Sequence, residues 1–433
     1  MASSTILSRK IIKPSSPTSS SLRHHNLSFR DYIAIPSYAP IASFYSKPDN
    51  YTNISQISHI LENSLSKILS SYYPFAGRIK DDKYVDCNDI GAEYLNVRVN
   101  CSMSEILNNP YNDAIDIVFP QDLPWSNSLN ASILVVQLSH FDCGGLAISV
   151  CLSHKIVDGY SLCKFLMDWA ETARDHELDN FKPSLQFDGA SFFPLMDDPP
   201  TIPRVVPEPQ QCVSRIYNFS SSSLGRLKDI VVATNSGVVQ NPTSIEVATA
   251  LVHKCGVAVS MSNSGEFKPT LLSHVMNLRP PIPLNTIGNA CCHFGSITMK
   301  EDEIKLPNLV AQLQKAKQQL RDELKDMNTN ELASHALEKI KEGIEIIKRD
   351  IFDVYYCTSL CNVGLYKINF GWGSPVRVTL AKNPMKNHFL FMDEPNGDGI
   401  NVLITLTETD MLIFQSNKVL LEFASPIGML YNC

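Results

Sequence analysis

Ile133-Leu134-Val135-Val136-Gln137-Leu138-Ser139-His140 and Leu146-Ala147-Ile148-Ser149-Val150-Cys151-Leu152-Ser153 are two strand-length apolar runs. Between them stands Asp142-Cys143-Gly144-Gly145. Glycine accepts positive φ without a Cβ clash, so this spacing predicts a tight hairpin of two buried strands. After His154-Lys155-Ile156-Val157-Asp158-Gly159, apolar residues recur at Leu162, Phe165, Leu166, Trp169 and Ala173. That period is helical, with Ser161 as its expected N-cap. A hairpin running through a short connection into an amphipathic helix is an α/β signature, and the rest of the chain extends it.

Upstream, Ile57, Ile60, Leu61, Leu65, Ile68 and Leu69 predict a helix over 54–73, stopped by Pro74. Residues 84–99 alternate and read as two strands around Asn88-Asp89-Ile90-Gly91. Residues 1–50 are Ser/Pro-rich and read as an extended lead-in. Downstream, Pro183, Pro194, Pro199, Pro200, Pro203, Pro207 and Pro209 exclude a helix or a central strand. The expected organisation is therefore an N-terminal half (1–190), a crossover linker (191–212) and a C-terminal half of similar size (213–433). The second half carries helical signal at 223–233, 243–259, 306–326, 330–348 and 408–423. Strand signal lies near 270–278, 291–299, 354–362, 376–381, 388–393 and 400–407.

Composition narrows the function classes. The chain has 433 residues, 44% of them hydrophobic and 19% charged, which is globular and long enough for two cores. A net charge of −7 lacks the basic excess that favours nucleic-acid backbones. No uninterrupted apolar stretch reaches the ~18 residues of a membrane span, and Arg9, Lys10 and Lys13 precede no apolar signal segment. Twelve cysteines include no CxxC pair, so neither a zinc site nor a disulfide framework is expected. These features predict a cytoplasmic protein with reduced thiols, without metal, nucleic-acid or membrane partners.

His154 is the leading candidate for chemistry. It ends a buried strand, and strand-end connections on a rigid scaffold often hold functional groups. A neutral imidazole can take a proton from a hydroxyl or amine at neutral pH and return it. A satisfied structural histidine and a His/Asp metal site are the competing readings. Asp158 could orient the ring or hold the loop by an ion pair elsewhere. Cys143 is the least implausible nucleophilic cysteine. Gly-x-Ser-x-Gly, Walker-type and Gly-x-Gly-x-x-Gly motifs are absent from the sequence. Asn369-Phe370-Gly371-Trp372-Gly373-Ser374-Pro375 reads as a fixed aromatic turn, and Arg279, following an apolar strand, calls for a carboxylate partner.

Together these segments resemble the plant BAHD acyltransferases. His154-x-x-x-Asp158-Gly159 is similar to that family's HxxxDG, and Asn369-Phe370-Gly371-Trp372-Gly373 to its DFGWG. Asn277-Leu278-Arg279 and Gly288-Asn289 fall between them, in the family's order. Ile12-Lys13-Pro14, Tyr73-Pro74-Phe75-Ala76-Gly77-Arg78 and Phe141-Asp142-Cys143-Gly144-Gly145 fit too. Met103-Ser104-Glu105-Ile106-Leu107 through Leu123-Pro124-Trp125 resembles the branch of capsaicin synthase, acylsugar acyltransferases and alkaloid O-acetyltransferases.

The resemblance implies two chloramphenicol-acetyltransferase-like domains with an active-site channel at their interface and some C-terminal strands crossing into the first domain, in a monomer. It implies acyl-CoA as cosubstrate, no permanently bound cofactor, and a small-molecule acceptor. His154 would be the general base for direct transfer to a hydroxyl. Asp158 would be structural and pair with Arg279. Phe370, Gly371, Trp372 and Gly373 would form a structural loop near the coenzyme A channel. The alternatives are amide formation on an aromatic amine and a non-catalytic binding protein of the same fold. Asn369 departs from the family's Asp: it keeps hydrogen-bonding capacity and loses the charge, so an ion pair at that position is lost.

Overall fold

The computed structural model describes residues 2–427 except 49–53, 109–112, 176–180, 197–198, 200–211 and 234–238. Most of the expected crossover linker, including Pro200, Pro203, Pro207 and Pro209, lies outside the described residues.

Two large mixed sheets form the framework. The first has six strands in the order Ser4–Ile12, Ala92–Val99, Leu134–Phe141, Leu146–Ser153, Tyr38–Tyr45 and Arg377–Thr379. Leu134–Phe141 pairs antiparallel with Leu146–Ser153, and Gly144 turns the hairpin at φ 87°. Both strands are buried along their whole length, which is why they read as continuous apolar runs rather than alternating ones. Helices Ile54–Ser71 and Gly159–Arg174 cover one face, with Leu61, Leu65, Phe165 and Trp169 fully buried.

The second sheet has seven strands, in the order Cys291–Thr298, Thr270–Asn277, Asp353–Ser359, His388–Asp393, Ile400–Thr407, Cys212–Phe219 and Ser425–Pro426. Its core joins Leu272, Tyr355, Phe389 and Ile404 to Val247, Leu251 and Cys255 of helix Ser244–Ser264. By length and composition that helix could cross a membrane, although His253 and Lys254 interrupt it; 67% of its most apolar window is buried inside the fold.

The halves are stitched together. Arg377–Thr379 pairs antiparallel with Tyr38–Tyr45 in the first sheet, and Leu360, Ile368, Phe370, Leu390 and Leu403 join the first half's core.

Three expectations change. Tyr84–Asp86 and Ala92–Val99 are not partners: the former joins a three-stranded sheet with His24–Asn26 and Arg78–Lys80. The helix expected over 408–423 is two, Glu408–Phe414 and Lys418–Phe423. Asn417 separates them, because its side-chain oxygen accepts from the amides of Val419 (3.0 Å) and Leu420 (3.2 Å) and starts a new helix. Finally, the helix after His154 begins at Gly159, and its N-cap is Asp158 rather than Ser161.

Candidate active site

His154 follows strand Leu146–Ser153 directly, and its backbone is held on both sides. Its N–H donates to the Ser37 carbonyl (2.9 Å) and its carbonyl accepts from Asn289 Nδ2 (2.8 Å). Asn289 is itself fixed, since its backbone N–H and its Nδ2 donate to Asp31 Oδ1 at 2.9 and 2.8 Å. The other Asp31 oxygen accepts from the Ser28 amide and hydroxyl. A loop of the second half, just before strand Cys291–Thr298, and the short helix Phe29–Ile33 of the first thus clamp the backbone that carries the imidazole. The ring is left without such ties: Nδ1 is buried with no hydrogen-bond partner among the described residues. Nε2 has no hydrogen-bond partner among the described residues either, and, on a half-buried residue, it is not sealed from solvent.

Asp158 does not orient that ring. Its Oδ1 accepts from the Ser161 amide (2.9 Å), capping the helix, while Oδ2 accepts from the Ala290 amide (2.9 Å) and from Arg279 Nη1 (2.8 Å). Arg279 is fully engaged. Nε donates to the Thr286 carbonyl, Nη1 to Asp158 and Asn277, and Nη2 to Ser161 Oγ and the Gly288 carbonyl, all within 3.2 Å. The guanidinium also lies 4.8 Å from the centre of the Tyr160 ring. Five donors meet five acceptors, which is what a buried guanidinium requires. Ser161, expected as the cap, instead ties the helix to Gly288, donating to its carbonyl at 3.0 Å. Sequence reading assigned no role to Ser161 in this network or to Asn289, although Gly288-Asn289 stood out as a motif.

The same chain order recurs in known proteins. A profile of the transferase family matches residues 2–421. The chain belongs to this family, the BAHD acyltransferases. Acylsugar acyltransferase 3 of Solanum lycopersicum is 63% identical over 433 residues, covering 99% of each chain. Acyltransferase Pun1 of Capsicum frutescens is 41% identical, covering 97% of each. Among solved structures, vinorine synthase superposes with a TM-score of 0.83 at 28% identity, covering 98% of this chain and 99% of that one. The protein is therefore an acyl-transferring enzyme on a coenzyme A-dependent acyltransferase fold.

In this BAHD enzyme the Asn369–Gly373 loop lies away from His154. Asn369 accepts from Arg174 through its carbonyl, at the far end of helix Gly159–Arg174. Sixteen helical residues, roughly 24 Å, separate it from the Asp158 end. Asn369 Oδ1 accepts from the amides of Gly371 (2.9 Å) and Gly373 (3.0 Å), both at positive φ. Phe370 is buried against Trp169, with centroids 4.9 Å apart, and stacks on Trp372 at 5.7 Å. Uncharged Asn369 therefore holds the turn through hydrogen bonds that need no ion pair. Cys143 is remote as well: it sits at the hairpin turn, about 25 Å of strand from His154, where it accepts from the Met103 amide at 3.4 Å.

Two titratable groups on strand Cys291–Thr298 are held neutral. His293 is pushed down to about 4 by desolvation, with Arg30, His274 and His154 adding to the depression. Cys291 is raised to about 12 by burial, which makes it a poor nucleophile at neutral pH. Among the described residues no His/Cys/Asp/Glu cluster could hold a metal ion.

Proposed function

We propose that this enzyme esterifies one hydroxyl of a small plant specialised metabolite, an acylsugar-type acceptor, by direct transfer from acyl-CoA with His154 as general base. The observation that carries this is the fixed His154 backbone beneath a ring whose Nε2 is open. For Nε2 to act as base, the neutral ring carries its hydrogen on Nδ1. Nε2 then takes the acceptor's hydroxyl proton as that oxygen attacks the thioester carbonyl. The tetrahedral oxyanion collapses, the C–S bond breaks, and the imidazolium returns the proton to the departing thiolate. The products are an ester and coenzyme A thiol, without a covalent enzyme intermediate.

The acceptor class follows the relative at 63% identity, which is named an acylsugar acyltransferase. Asp158 and Arg279 are assigned positioning roles, and Phe370–Gly373 a structural one beside a coenzyme A channel between the halves. We further assign a cytoplasmic monomer without nucleic-acid or membrane partners. Net acidity and the lack of any disulfide among the eleven cysteines of the described residues support that setting.

His154→Ala should lower turnover by about 10²- to 10⁴-fold, the usual contribution of a general base. Its circular dichroism and melting temperature should match the parent's, because the ring makes no structural hydrogen bond among the described residues. Product mass spectrometry with acyl-CoA and a partially acylated sucrose reads the outcome; a variant that keeps most of its activity refutes the assignment.

A further inference from the structure

One face of the seven-stranded sheet is unusual. Leu272, Tyr355, Phe389 and Ile404 point into the second half's own core, so strict alternation sends their neighbours to the opposite face. The register there aligns Gly295, Ser273, Tyr356, His388, Thr405 and Ser214 in one row across six strands. Two residues further along on the same face, Leu390 and Leu403 belong to the core built with the first half. The row therefore faces the first half where apolar packing has given way to polar side chains.

At one end, Ser273 Oγ lies 3.2 Å from His293 Nδ1, and His293 is close enough to His154 to feel its charge. His293 is exposed by area yet strongly desolvated, as a group on the wall of a narrow opening would be. Thr405 and Ser214 satisfy each other at 2.8 Å. The Tyr356 hydroxyl and the His388 ring have no hydrogen-bond partner among the described residues and are not sealed from solvent. Burial lowers His388 to about 4 and raises Tyr356. Every open group on the wall is thus uncharged at neutral pH and can donate a hydrogen bond or accept one. Ser273, Tyr356 and His388 stand on adjacent strands, spanning roughly 10 Å at about 4.8 Å per strand, the reach of two sugar rings.

We infer that Tyr356, His388 and His293 hold the non-reacting hydroxyls of the acceptor, which is accordingly an uncharged, hydroxyl-rich molecule of carbohydrate type. This rests on the reaction proposed above. A row without carboxylates offers no counter-ion to a cationic alkaloid amine, whereas neutral donor–acceptor groups and a tyrosine ring suit a polyol. The amide-bearing arm of coenzyme A has related chemistry, and kinetics separate the two ligands.

The test uses the full chain carrying Tyr356→Phe, His388→Phe or His388→Asn. Binding of a partially acylated sucrose is measured by calorimetry, and initial rates are measured with that ester and with 1-octanol, each against varied acyl-CoA. Tyr356→Phe and His388→Phe should each weaken sucrose-ester binding about three- to tenfold, as loss of one neutral hydrogen bond predicts. The preference for the ester over 1-octanol should fall by the same factor, and His388→Asn should restore part of both. Unchanged binding, an equal loss with both alcohols, or a loss confined to the KM for acyl-CoA overturns the inference, as does a parent enzyme that does not bind the ester. A parent that binds it but transfers no acyl group keeps the strip and refutes the proposed reaction.

Discussion

Asp158 and His154 stand four residues apart in one motif, and the structure gives them unrelated tasks. Asp158 uses both oxygens on the helix cap, the Ala290 amide and the Arg279 guanidinium. Its partner's side chain is fully buried. Removing one member of a buried pair strands the other charge, at a cost of about 3–5 kcal/mol. Asp158→Ala should therefore lower the melting temperature sharply, in contrast to His154→Ala, and any loss of activity should track loss of fold. The double variant Asp158→Ala/Arg279→Met should recover part of that stability, because no unpaired charge is then left inside. Calorimetric unfolding decides it: a single Asp158→Ala variant as stable as the parent would mean the pair contributes nothing.

Helix Gly159–Arg174 works as a spacer at the level of elements. Its N-terminus is fastened through Asp158 and Ser161 to Arg279, Gly288 and Ala290 in the connection between strands Thr270–Asn277 and Cys291–Thr298, and its C-terminus through Arg174 to Asn369. Both motifs of the resemblance thus bear on one rigid element, at opposite ends. Near the C-terminus, local capping outweighs helical periodicity, since Asn417 starts a second helix inside a continuous apolar pattern. Asn417→Ala should cost about 1 kcal/mol of stability, the usual value of an N-cap. Turnover should be unaffected, as the residue is remote from His154 in the second half's outer layer. An unchanged unfolding midpoint in urea would show that the cap contributes nothing.

Across the whole molecule, neutral histidines tie stability to pH. Burial lowers His140 and His274 to about 4 and His253 to about 3, from an ordinary value of 6.5. Below pH ~6.5 the unfolded chain takes up these protons while the folded chain does not, so the unfolded state binds more protons and stability falls with pH. The loss should begin near pH 6.5 and continue to about pH 4, where His140 and His274 begin to titrate in the fold, and further for His253. Each site contributes on the order of a few kcal/mol. Thermal unfolding from pH 7.5 to 4.5 checks this: a midpoint flat below pH 6.5 would contradict the burial of these rings.

Local chemistry alone determined much of this protein. The hairpin and the helices read from the sequence because apolar period and glycine placement act within a few residues, and the HxxxDG and NFGWG segments were legible as ordered motifs. The family resemblance already implied Arg279 on Asp158; the other distant pairings were decided only by the tertiary structure: Asn289 on the His154 carbonyl and on Asp31, and Arg377–Thr379 as the strand that joins the first half's sheet. The polar row through Tyr356 and His388 is of the same kind. Each of its residues looks unremarkable within its own strand, because strand order and register, which no local pattern encodes, are what bring them side by side.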